Sequence, residues 1–192
     1  MKILLLLAKG AELMEVSPFI DIFGWHSHYG KSEIKVISCG LRKEIVSTFN
    51  VTLKTDLLID EVNADDYDAL AIPGGFGDFG FYEDAYSDDF LNIIKKFHEQ
   101  NKFIASICVG ALPIGKAGIL KGKNATTYHL GDKRRQKQLA EFGANIVDEP
   151  VVVEENIITS WCPSTAPEVA FKLLEFLTSR QDADNIRKIM GF

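Results

Sequence analysis

The chain has 192 residues, enough for one domain with a full core and too few for two of ordinary size. Its 21 Lys and Arg against 27 Asp and Glu leave a formal net charge of −6, which argues against sequence-independent binding to nucleic acid, where a basic face is needed. With 46% hydrophobic and 25% charged residues it reads as a globular protein, and three cysteines without a C-x-x-C pair suggest neither a disulfide framework nor a zinc site, so a cytoplasmic, reducing setting is expected.

The first element is an apolar run, Lys2 to Leu7. It is too short for a signal-peptide core and runs into Lys9-Gly10-Ala11-Glu12 without a small-residue cleavage pattern, so it reads as a buried strand. No apolar stretch approaches the roughly 20 residues of a membrane helix. Met14 to Tyr29 follows with helical period, placing Val16, Phe19, Ile20 and Phe23 on one stripe. Strands are predicted at Glu33 to Ser38, Tyr67 to Ile72 and Phe103 to Ile107, each apolar nearly throughout, as strands covered on both faces are. Glu44 to Thr55 alternates and reads as two short strands. Asp88 to Gln100 is a helix with Phe90, Leu91, Ile94 and Phe97 on one side. Asn124 to Thr127 reads as a strand, Gly131 to Phe142 as a polar helix, and Lys133, Arg134, Arg135 and Lys137 within it as a solvated face. Val151 to Ser160 reads as a hairpin turning at Glu155-Asn156. A helix from Ala166 to Ser179 and an amphipathic tail from Asp182 to Phe192 close the chain. No linker or repeat divides it, so residues 1–192 are one α/β domain built on a mostly parallel sheet.

Chemistry concentrates at Phe103-Ile104-Ala105-Ser106-Ile107-Cys108-Val109-Gly110-Ala111. A buried strand delivers a thiol to a sharp turn, and a helix carrying Leu112, Ile114 and Ile119 begins just after it. Gly110 allows close backbone approach. The positive end of that helix favours thiolate, so a lowered pKa for Cys108 is expected. Ala71-Ile72-Pro73-Gly74-Gly75-Phe76-Gly77 ends another buried strand with consecutive glycines. The Gly75 and Val109 N–H groups together would form an oxyanion hole, with Gly74 lining the site. Glu12 and Glu15 open the first helix. Glu15 begins the apolar stripe and points inward, where burial would keep its carboxyl protonated and able to donate to sulfur.

Ala8-Lys9-Gly10-Ala11-Glu12 with Glu15, Pro73-Gly74-Gly75, Ile107-Cys108-Val109-Gly110-Ala111 and Ala125-Thr126-Thr127 together resemble the ThiJ/PfpI superfamily. This is the group of the Parkinson-associated protein and the bacterial intracellular proteases and amidases, related in fold to class I glutamine amidotransferases. The resemblance runs from Lys2 to about Leu177. It implies a flavodoxin-like three-layer α/β/α sandwich, a homodimer, Cys108 as nucleophile, Glu15 as its protonated partner, and Gly75 with Val109 as oxyanion donors.

The departures narrow the chemistry. Val109 stands where protease-like members have His, and Ser160 to Glu168 carries none. Tyr128 fills the place after the Thr-Thr pair where some members have His, with His129 one residue later. Only one of these two can face the thiol if they continue a strand. His26, His28 and His98 read as surface residues, Cys39 and Cys162 as structural ones. The segments around Phe76 to Tyr86 and Trp161 to Pro167 are expected to line the pocket. The expected function is cysteine-dependent chemistry on small reactive carbonyls or their adducts, of glyoxalase or deglycase type, with hydrolase or amidase activity second. The alternative is a redox-sensing protein in which Cys108 is oxidised. A small-molecule substrate is implied; no cofactor or metal motif stands out.

Overall fold

The computed structural model describes residues 1–192. Strands β1 (Lys2–Leu6), β2 (Lys35–Gly40), β5 (Leu57–Leu58), β6 (Ala69–Ile72), β7 (Phe103–Ser106), β10 (Val151–Glu154) and β11 (Ile157–Ser160) form one seven-stranded sheet in the order β10-β11-β7-β6-β1-β2-β5. Every pairing in it is parallel except that of β10 with β11. Two small ribbons stand apart, β3 (Glu44–Val46) with β4 (Thr52–Lys54) and β8 (Asn124–Ala125) with β9 (Asn145–Ile146).

The central strands β1, β6 and β7 are buried almost completely, which is why they read as unbroken apolar runs. Helices α1 (Leu13–Tyr29), α6 (Ala166–Leu177) and α7 (Arg180–Met190) pack on one another in one layer. The other layer holds α2 (Phe81–Ala85), α3 (Asp88–Glu99), α4 (Ala111–Lys116) and α5 (Arg134–Glu141), each against the next. The result is the expected flavodoxin-like α/β/α sandwich.

Several boundaries move, each for a local reason. The second strand starts at Lys35, because the backbone of Ile34 is bound by Ser27 of α1, whose hydroxyl donates to the Ile34 carbonyl at 2.7 Å and accepts its N–H at 3.0 Å. The predicted Asn124 to Thr127 strand ends at Ala125, since side chains take over its polar groups: Thr159 Oγ1 accepts the Thr126 N–H at 3.0 Å. The helix expected from Gly131 begins only at Arg134, because Gly131 and Lys133 hold positive φ of 72° and 58°. On α1 the buried stripe is Val16, Phe19, Ile22 and Phe23, while Ile20 faces outward. Glu155 takes a left-handed φ of 53° at the expected hairpin turn. No helix is long and apolar enough to cross a membrane.

Candidate active site

The chain runs from β1 outward through β2 on one side and returns to β6 on the other, so the β1–β6 boundary is a topological switch point. Loops leaving the carboxyl ends of strands there splay apart and open a crevice. Three of the sequence motifs meet in it. The turn after β1 leads to Glu15 in the first turn of α1; Pro73-Gly74-Gly75 follows β6; Cys108 follows β7.

Cys108 occupies a left-handed backbone conformation, φ 56°, at the head of a single 3-10 turn leading into α4. A non-glycine residue there stores on the order of 1–3 kcal/mol of strain, held only when its surroundings over-determine it. The surroundings do so. Thr127 Oγ1 donates to the Cys108 carbonyl at 2.7 Å, and the Gly110 N–H donates to the Ile107 carbonyl at 2.8 Å. A Cβ on Gly110 would collide with the Ile72 carbonyl, so glycine is required for the turn to press against β6.

Glu15 is fully buried. Its Oε2 accepts the Gly74 N–H at 2.6 Å, Oε1 has no hydrogen-bond partner, and the carboxyl group neighbours Cys108. Burial raises its pKa to about 8, against the opposing pull of the Gly74 bond. The carboxyl is therefore an acid at neutral pH. Its proton belongs on Oε1, since Oε2 is already an acceptor, and from there it can be donated to sulfur. Gly74 thus lies beneath the site as the holder of Glu15. A Cβ on it would come within 2.9 Å of Glu15 Oε2 and of the Val109 nitrogen.

The thiol departs from the sequence expectation. Burial, and then Glu15, push Cys108 up from its ordinary value, and the Val109 N–H, which donates to the sulfur, opposes them. The sulfur is mostly covered, and that desolvation outweighs the short helix behind it. The Gly75 N–H is free of backbone partners: the neighbouring bonds, Glu12 N–H to Gly74 O and Phe76 N–H to Gly10 O, leave it pointing away from the strand pair. Val109 and Gly75 line the same cavity as Cys108, the Gly75 N–H without a backbone partner.

Above them lies a cavity of about 490 Å³, whose walls include Glu15, Gly75, Cys108, Val109 and Tyr128. The question of Tyr128 or His129 resolves in favour of Tyr128. His129 instead stacks on Trp161, ring centroids 3.9 Å apart, and does not line the cavity. Of the two aromatic segments expected at the pocket, Phe76, Gly77 and Asp78 contribute from one, and Cys162, Pro163 and Ser164 from the other; Tyr82, Tyr86 and Trp161 do not. Cys162 is thus a pocket residue rather than a purely structural one, whereas Cys39 is buried in the core with its pKa pushed up to about 12. Arg134, exposed as the solvated-face reading expects, and the half-buried Arg135 also line the cavity, a placement that reading did not include. The polar run around them gave no signal of this, because α5 faces water along most of its length. No group of three His, Cys, Asp or Glu residues is placed to hold a metal ion.

Comparison with known proteins agrees with the fold. The protein named DJ-1 homolog B of Arabidopsis thaliana is 32% identical over 188 residues, covering 97% of this chain but 40% of that protein, so the chain spans well under half of that relative's length. A Thermococcus kodakarensis protein named a deglycase is 32% identical over 164 residues, covering 85% of this chain and 91% of that one. The crystal structure of Drosophila melanogaster DJ-1beta superposes with a TM-score of 0.85 at 28% identity, covering 98% of this chain and 96% of that one. Residues 1–176 match the DJ-1/PfpI family as a whole, and the chain belongs to it.

Proposed function

We propose that the protein converts small 2-oxoaldehydes, or their adducts, through covalent catalysis by Cys108. The observation that carries the reading is the strained Cys108 turn, with the buried acid Glu15 on one side and the free Gly75 N–H on the other. In the proposed reaction Sγ bonds to the aldehyde carbon, and the thiol proton passes to the carbonyl oxygen, giving a hemithioacetal. The developing oxyanion takes the N–H groups of Gly75 and Val109. Hydrogen then moves as a proton from the former aldehyde carbon to the adjoining carbonyl carbon; its carrier is the ionised fraction of Glu15, which has released its own proton to solvent and is available near neutral pH because the pKa is about 8. That internal transfer oxidises one carbon and reduces its neighbour, leaving a thioester. Water cleaves the thioester, releasing a 2-hydroxy acid and the thiol, so no external oxidant or reductant is consumed. The deglycase name of the Thermococcus relative supports the same substrate class.

The test is methylglyoxal loss with lactate as the measured product. Wild type should turn over, and Cys108→Ser should lose activity by at least about 10²-fold, as expected when a nucleophile is removed. Cys108 that is oxidised by peroxide without any turnover would overturn the reading. We propose further that the protein is a homodimer joined through exposed apolar residues, Met14 and Ile20 of α1 and Phe49, whose ring packs on Phe76 and Phe79. A single species of twice the chain mass in analytical ultracentrifugation would bear this out.

A further inference from the structure

Arg134 and Arg135 open α5 and share the cavity with Cys108, yet neither takes part in any of the ten ion pairs of the molecule. Arg135 is nonetheless fixed in place. Its Nη1 donates to Gln138 Oε1 at 2.9 Å, Gln138 Nε2 donates to the Tyr86 hydroxyl at 2.9 Å, and its guanidinium lies 4.7 Å from the centroid of the Tyr82 ring. None of these neighbours is negative, so the charge is positioned without being neutralised. Arg134 precedes it at the amino end of α5, where its N–H donates to Asp132 Oδ1 at 3.0 Å; Asp132 itself does not line the cavity.

Two carboxyls share the lining of the cavity with them. Glu15 is in its acid form at neutral pH, as burial raises it to about 8. Asp78 is the other, and it pairs with neither arginine. Two guanidiniums against one carboxylate make this cavity locally positive, in a chain whose net charge is −6.

We propose that Arg134 and Arg135 select substrates bearing a carboxylate, with the reactive carbonyl at Cys108 and the acidic end turned toward α5. The substrate class is a 2-oxoaldehyde, or adduct of one, with a terminal carboxylate. The reaction at the carbonyl rests on the function proposed above; the preference for an anion does not. A guanidinium presents a planar fork of donors that matches a carboxylate in geometry as well as charge.

The experiment compares iodoacetate with iodoacetamide, which differ in charge and little in size, as alkylators of Cys108 followed by mass spectrometry of its peptide. Both form the same S–CH2 bond and release iodide, so their rate ratio reads the charge of the cavity without any need for turnover. The iodoacetate-to-iodoacetamide ratio should fall about fivefold in the double variant Arg134→Gln, Arg135→Gln, persist when both are changed to Lys, and decline as salt is raised. A ratio indifferent to the Gln substitutions would overturn the proposal. In parallel, kcat/KM for 4,5-dioxopentanoate relative to its methyl ester should fall in the same Gln variant. An arginine-dependent ratio with no turnover of either compound would uphold the anion preference and overturn the proposed reaction. Turnover with a ratio that ignores the arginines would do the reverse.

Discussion

Glu15 concentrates the tension between stability and chemistry in one side chain. A carboxyl with no water around it favours the proton, and here the folded pKa of about 8 stands above the ordinary 4.5. The native state therefore holds that proton more tightly than the unfolded chain does. Its contribution to stability is complete below pH 4.5 and is lost as pH rises toward 8, by an amount on the order of 5 kcal/mol. Glu15→Gln has no proton to lose, so its unfolding free energy from urea titrations should vary much less than that of wild type between pH 5 and 8. Equal slopes in the two proteins would show that Glu15 ionises freely in the fold. At this scale most of the site was legible: Cys108, Glu15, Gly75 and Val109 stand together as their residue types and positions indicated. Thr127 was legible only as part of a motif, because its bond to the Cys108 carbonyl depends on where a separate ribbon docks. The direction of the thiol's shift was not legible either, since it depends on how completely neighbouring elements cover the sulfur.

Among elements, the turn between β1 and α1 is anchored from outside. Asp84 of α2 is almost fully buried and accepts the Lys9 N–H at 2.8 Å and both nitrogens of the Arg42 fork, at 2.6 and 3.0 Å. Gly10 is held in turn by the β3–β4 ribbon: its N–H donates to the Val46 carbonyl at 2.8 Å, and its own carbonyl accepts from Thr48 Oγ1 at 2.7 Å. These contacts fix the start of α1 and hence the place of Glu15. Asp84→Ala should cost about 3 kcal/mol in thermal or urea unfolding, because it strips the partner from one backbone donor and one guanidinium at once. Turnover should fall with it, even though residue 84 does not line the cavity; a variant as active and stable as wild type would separate this anchor from the site. Long apolar strands and stripes such as those of β1, β7 and α3 were legible because their periodicity matches their burial. The strand β9, the two-residue β5 and the short α2 were not, since elements of two to five residues carry too few positions to show a period.

Taken as a whole, the molecule carries a second buried titratable group far from the nucleophile. His26 looked like a surface residue at the end of α1. Instead α7 folds back over that end, leaving the imidazole fully buried with neither nitrogen hydrogen-bonded. Burial lowers its pKa below the ordinary 6.5, and Asp182 of α7 opposes the shift. The fold thus favours the neutral ring, a contribution present above pH 6.5 and lost as pH falls below it. Relative to wild type, His26→Leu should gain stability between pH 7 and pH 5, measured as the difference in thermal midpoint at the two values. A constant difference would mean that the ring keeps an ordinary pKa. Glu15 and His26 tilt stability in opposite directions, so wild type should be most stable at mildly acidic to neutral pH.

The strand order that brings the site together also separates its parts in time. A chain made from its amino end completes the Cys108 turn well before Cys162, Pro163 and Ser164, the last wall of the cavity, leave the ribosome. At roughly 5–20 residues per second that interval is a matter of seconds. Through it the sulfur has neither its final cover nor the neighbouring strand β11, so the newborn protein passes through a stage at which its thiol meets the surrounding solution unguarded.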